Sequence, residues 1–141
     1  MCVKSGKLIN MKCSFIRCLA LVAFISAVPS LLAETVSLSS LDLNQMTVGW
    51  SVAKAGHEIA GGSLSIHGEK FTDGVGTHAV SKFRVNLNGD AKSFTAKVGV
   101  DDSAGNQGSV EFIVEGDGKI LWQSGVLKGG DSAKPVSVNL T

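Results

Sequence analysis

Hydrophobic residues that recur at every second position constrain this chain more than any other feature. Phe94, Ala96, Val98 and Val100 share one parity, while Thr95, Lys97 and Gly99 take the other. A period of two is the side-chain repeat of a strand buried on one face only. The same repeat runs through Val110, Phe112 and Val114 against Glu111 and Glu115, and through Val136, Val138 and Leu140 against Ser137 and Asn139. It appears again in Phe83, Val85 and Leu87 against Arg84 and Asn86. Four half-buried strands are therefore expected, with shorter ones at 36–38, 64–66 and 126–127.

The residues between these runs suit tight turns. Asn88-Gly89, Asp117-Gly118 and Gly129-Gly130 can take the positive φ angles that short hairpin loops impose. The clearest hairpin rises through 109–115, turns at Gly116-Asp117-Gly118 and returns through 119–123. Beyond the N-terminal stretch no segment carries a helix-length 3.6-residue pattern, and 50–57 is the least regular part. Seven or eight short strands without helices predict an all-β sandwich or barrel.

The first 33 residues read differently. Lys4, Lys7, Lys12 and Arg17 come without an acidic neighbour, followed by the apolar run Leu19 to Ile25 and then Ser26, Pro29, Ser30 and Ala33. Basic, apolar and small-residue zones in that order are a secretory leader. The apolar zone is too short to span a bilayer. Residues 1–33 are thus expected to be removed and 34–141 to form one domain, secreted, periplasmic or on the cell surface, with no membrane attachment after cleavage. All three cysteines (Cys2, Cys13, Cys18) fall in the leader, so the exported part needs no disulfides.

Charge then excludes a class of partner. Residues 34–141 carry nine Lys and Arg against twelve Asp and Glu, a formal net charge of −3 where the whole chain has +1. A nucleic-acid partner has no electrostatic motive on such a surface.

Several catalytic patterns are nearly present and fail on context. Gly74-Val75-Gly76-Thr77-His78-Ala79 fits a relaxed dinucleotide fingerprint. That fingerprint works only when a helix follows and aims its N-terminus at a pyrophosphate, and here a strand pattern follows. Asp101-Asp102-Ser103-Ala104-Gly105-Asn106 is rich in oxygen but lacks the spacing of a calcium-binding EF-hand loop. It reads first as a polar turn, with a structural calcium ion the single cofactor left open. There is no nucleophile elbow, and His57, His67 and His78 are separated by ten and eleven residues, which matches no zinc motif. A non-catalytic binding protein is the expectation, and a small hydrolase the minority reading.

A family resemblance adds to this. Leu41-Asp42-Leu43, Gly49-Trp50, Leu64 to Gly68, Gly74 to Ala79, Phe94 to Asp102, Gly108 to Phe112, Gly116-Asp117-Gly118 and Ser124 to Leu127 resemble, in order and spacing, the NPCBM/NEW2 domain, carbohydrate-binding module family 51. The resemblance implies a galactose-binding-like jelly-roll β-sandwich that binds galactose-type glycans through loops at one end. It makes His78, Asp101 and Asp102 the leading polar candidates. Family members continue past the strand at 136–140 with at least one more core strand, which implies a sandwich lacking its last strand and a sheet edge open to a partner chain.

Sugar recognition needs an aromatic face for the apolar side of the ring and a few fixed polar groups for its hydroxyls. Trp50 and Trp122 are the only large platforms. Trp122 shares the parity of Ile120 in a strand and is expected to pack in the core or on a sheet face. Trp50, between Gly49 and Ser51, is the better platform. Its polar companions are His78, Asp101, Asp102 and Asn106, although both aspartates could equally close their own turn through backbone amides. The rival to sugar binding is a structural or adhesive sandwich that associates through an open sheet edge.

Overall fold

The computed structural model describes residues 34–140, so the leader assigned to 1–33 lies outside the described residues. The described chain is built from antiparallel strands: β1 (Lys54–Ala55), β2 (Leu64–Ile66), β3 (Glu69–Phe71), β4 (Val75–Gly76), β5 (Ser93–Val98), β6 (Ser109–Gly116), β7 (Lys119–Lys128) and β8 (Lys134–Asn139). Its helical elements are three short 3-10 turns, Leu38–Ser40, Leu43–Gln45 and Asp102–Gln107. No helix among the described residues is long and apolar enough to cross a membrane.

The alternation seen in the sequence becomes the core. β5 pairs with β8 so that Phe94 faces Val138 and Ala96 faces Val136. β6 pairs with β7 through the Asp117-Gly118 turn, where φ is 49° and 75°. The apolar faces of both ladders meet in one cluster: Val98, Leu127, Val136 and Val138 are buried, with Phe94, Ala96, Phe112, Val114, Trp122 and Leu140 packed around them. Each such aliphatic side chain taken from water contributes roughly 1.5–3 kcal/mol. Trp122 packs against this cluster as expected, with the Lys134 ammonium 5.9 Å from its ring centre, whereas Ile120 of the same parity lies past a register shift and is 60% exposed.

The β6–β7 ladder changes register between Glu111 and Ile113. A bulge of this kind leaves a backbone amide without a ladder partner. The buried Ser124 hydroxyl accepts from that amide, Phe112 N, at 2.9 Å and donates to the Gly125 carbonyl. The residues expected as a separate strand at 126–127 are therefore the far end of β7, which passes through the positive-φ Gly125 without breaking.

Two other expectations are corrected. Phe83, Val85 and Leu87 do not form a ladder: only Lys82 finds a partner, Thr47, through two 2.9 Å bonds. Phe83 is half-buried, while Val85 and Leu87 are each 40% exposed. Alternation records which face is apolar, but a strand also needs a neighbouring backbone, and 83–87 has none among the described residues. Residues 36–38 likewise enter a 3-10 turn, because the Ser37 side chain accepts from Ser39 N and closes the turn locally. The Ser37 and Ser39 hydroxyls also donate to the Asp73 carboxylate, which ties this segment to the loop before β4.

Candidate functional site

β4 leads directly into the Thr77-His78-Ala79 turn. Gly76 pairs with Lys54 of β1, and a side chain at position 76 would collide with the His57 carbonyl, so the strand approach is one only glycine allows. Val75 is fully buried between these elements. The glycines of this motif therefore serve strand packing, and no helix follows Ala79 to receive a phosphate.

Beyond this anchor, two loops meet. Gly49 N donates to the His78 carbonyl at 3.3 Å. A Cβ on Gly49 would lie 2.5 Å from the Ala79 carbonyl oxygen and 2.7 Å from Val80 N. That closeness brings the next residue, Trp50, against His78: their ring centres are 5.9 Å apart, edge to face at 68°. Trp50 is 60% exposed, and Val52 and Val80, on the same two loops, are 66% and 86% exposed. The imidazole is held by Nδ1, 2.6 Å from the Ala79 carbonyl oxygen. Sequence reasoning named Trp50, its neighbour Gly49, and His78, but missed Val52 and Val80.

Asp101 and Asp102 have a different setting. Asp101 accepts from Ser103 N and from Ser65 N, both at 2.9 Å. Asp102 accepts from His67 N at 2.7 Å, from Gly68 N at 2.9 Å and from the Ser65 hydroxyl. The Ser65 hydroxyl and the Gly68 amide hold the Asp102 carboxyl below the usual carboxylate range, against the opposing pull of desolvation. Both aspartates thus clamp the β2–β3 turn, in which His67 and Gly68 have φ of 50° and 80°. Of the two roles open to them, the structure displays the turn-closing one, extended to a second loop. His67 completes the clamp with Nδ1 2.6 Å from the Gly130 carbonyl oxygen. Asn106 is exposed beside Gly130. The structure thus joins Trp50 to His78, while Asp101, Asp102 and Asn106 lie around another turn.

Two further polar groups bear on the site. Glu58 is buried and accepts from Ala60 N at 2.7 Å and Gly62 N at 2.5 Å, which keeps its carboxyl below the usual range and shapes the loop after β1. Thr77 Oγ1, adjacent to His78, is buried without a hydrogen-bond partner. Among the described residues, no three His, Cys, Asp or Glu side chains group so as to hold a metal ion.

The NPCBM/NEW2 domain family matches residues 34–141. The chain belongs to this family. A relative is alpha-1,3-galactosidase B of Akkermansia muciniphila, 36% identical over 109 residues. That match takes in 76% of this chain but 14% of the galactosidase, so the chain spans a small part of its relative's length. Among solved structures, the CBM51 of Clostridium perfringens GH95, in complex with methyl-galactose, superposes with a TM-score of 0.66 at 30% identity, covering 74% of this chain and 77% of that one. The CBM51-2 and INT domains of Clostridium perfringens ZmpB, in complex with GlcNAc, give 0.67 at 26% identity over 74% of this chain and 24% of the other. The fold is the galactose-binding-like β-sandwich of the CBM51 domains, as the NPCBM/NEW2 resemblance implied.

Proposed function

We propose that this NPCBM/NEW2 domain binds galactose-type glycans without cleaving them, at the corner where Trp50 meets His78, and that it does so as a secreted or cell-surface protein once residues 1–33 are removed. The observation that carries this reading is the pairing itself: an indole 60% exposed, braced edge to face by an imidazole whose other nitrogen is available. An exposed aromatic ring in water has no energetic justification from packing. Set against a pyranose it covers the apolar C–H face, while a neighbouring polar group reads a hydroxyl. The methyl-galactose complex of the CBM51 relative supports the choice of sugar. In this reading Asp101 and Asp102 set the shape of the β2–β3 turn, and Asn106 is the exposed polar group on that side. A shallow site of this kind removes little surface from water, so affinity is expected to be modest.

A glycan array tests the reading. Binding to galactosides that weakens by about ten-fold in Trp50→Ala and in His78→Ala, with unchanged circular dichroism, is the expected result, and a wild-type protein that captures no galactoside would refute it. The adhesive alternative draws on the half-exposed Phe83, Val85 and Leu87, which lack a ladder partner among the described residues. Concentration-dependent assembly in light scattering, indifferent to added sugar, would favour that alternative.

A further inference from the structure

We infer that His78 reads its ligand with one fixed polarity: its Nε2 accepts a hydrogen bond from a sugar hydroxyl and does not donate one. This rests on the carbohydrate reading of the Trp50–His78 corner and adds which hydroxylated ligands the corner can tell apart.

The first step is a matter of valence. Nδ1 of His78 lies 2.6 Å from the Ala79 carbonyl oxygen. A carbonyl oxygen only accepts, so the proton of that bond belongs to Nδ1. A neutral imidazole carries a single N–H, and Nε2 is left with its lone pair. No hydrogen bond from a described residue reaches Nε2, and the side chain is exposed.

The second step concerns whether the ring can turn over. Rotating the imidazole by a half turn would put a C–H where Nδ1 now meets the carbonyl, and would leave that carbonyl without its donor. Trp50, edge to face at 5.9 Å, packs against the same ring. The tautomer and the orientation are therefore set before any ligand arrives, the condition under which a recognition group discriminates rather than adapts.

The consequence is chemical. An acceptor facing a sugar takes a free hydroxyl, which can donate. It rejects the same position when the oxygen is methylated, or is replaced by hydrogen or fluorine, because none of these offers a proton. Fluorine is the informative case, since it still accepts weakly.

Two measurements test this together. Long-range proton–nitrogen correlation on protein labelled with 15N-histidine, with His78 assigned by the loss of its signals in His78→Gln, is expected to show the Nδ1-protonated form. The Nε2-protonated form would overturn the inference. Calorimetry with methyl galactoside and its monodeoxy and monodeoxyfluoro analogues supplies the second arm. At one ring position both analogues are expected to bind about ten-fold more weakly than the parent, the size of one lost hydrogen bond, and that penalty should vanish in His78→Ala. Fluoro analogues that keep the parent's affinity wherever deoxy analogues lose it would show a donor at the site and overturn the proposal. An Nδ1-protonated His78 in a protein that binds no galactoside would instead sink the carbohydrate reading, and with it the ligand assigned to Nε2.

Discussion

The Trp50–His78 corner and the Asp101–Asp102 turn are made of similar material, polar and aromatic loop residues beside glycines, and they end in opposite conditions. At the turn, folding has already claimed the functional groups: Asp101 and Asp102 together accept from Ser65, His67, Gly68 and Ser103. At the corner, folding claims only one nitrogen of His78, leaves the Trp50 ring exposed, and brings no hydrogen bond from a described residue to Nε2. A loop group is freer to meet a ligand when the backbone has not recruited it first. Residue type alone does not distinguish the two situations.

Gly49→Ala should break the corner most completely. The new methyl group would stand 2.5 Å from the Ala79 carbonyl oxygen, so the 49–52 and 78–80 loops must separate. Overpacking of this kind costs about 1–3 kcal/mol of stability, and glycan binding should fall below detection in calorimetry while the protein still melts cooperatively. Trp50→Ala is the milder cut at the same place. It should weaken galactoside binding by roughly ten-fold or more, with a urea midpoint unchanged because the side chain is 60% exposed.

Asp102→Asn probes the other region and should show the reverse pattern: lowered stability at neutral pH with galactoside affinity nearly intact. The pH dependence has a definite sign. A carboxyl held below its ordinary range in the folded state stabilises above the unfolded carboxylate range, near pH 4, and that contribution is lost as pH falls through the lower folded value. Melting temperatures of wild type and Asp102→Asn should thus differ above about pH 5 and converge on acidification below it. Glu58, also held low by its backbone amides, should add to the wild-type decline in the same window. The smallest effect is expected for Thr77→Val. Removing a buried hydroxyl that has no partner should leave stability unchanged or raise it by up to about 1 kcal/mol, measurable as a small upward shift in melting temperature.

The sandwich was largely legible because its core strands alternate strictly. The parities of 94–98, 110–114 and 136–140 became the buried faces, and Trp122 packs on the same cluster although Ile120 of its parity does not. The failure at 83–87 has a clear cause. Period-two patterning reports a face and cannot report whether a neighbouring strand is there to complete the ladder, and that segment finds one only at Lys82. The site was half legible. Trp50 and His78 stand 28 positions apart in the sequence, and their contact depends on the close approach of Gly49 to Ala79, a three-dimensional coincidence that no local pattern encodes. At Asp101 and Asp102 the sequence shows an acidic pair in a turn, but not the amides of a second loop that the pair also serves.

The most direct test is a titration of 15N-labelled protein with methyl galactoside, followed residue by residue. Chemical-shift changes should centre on 49–52 and 76–80 and include the Trp50 indole N–H, while 65–68 and 101–107 stay silent. Changes centred on 65–68 and 101–107, with the Trp50 indole unmoved, would contradict the assignment of the sugar to this corner.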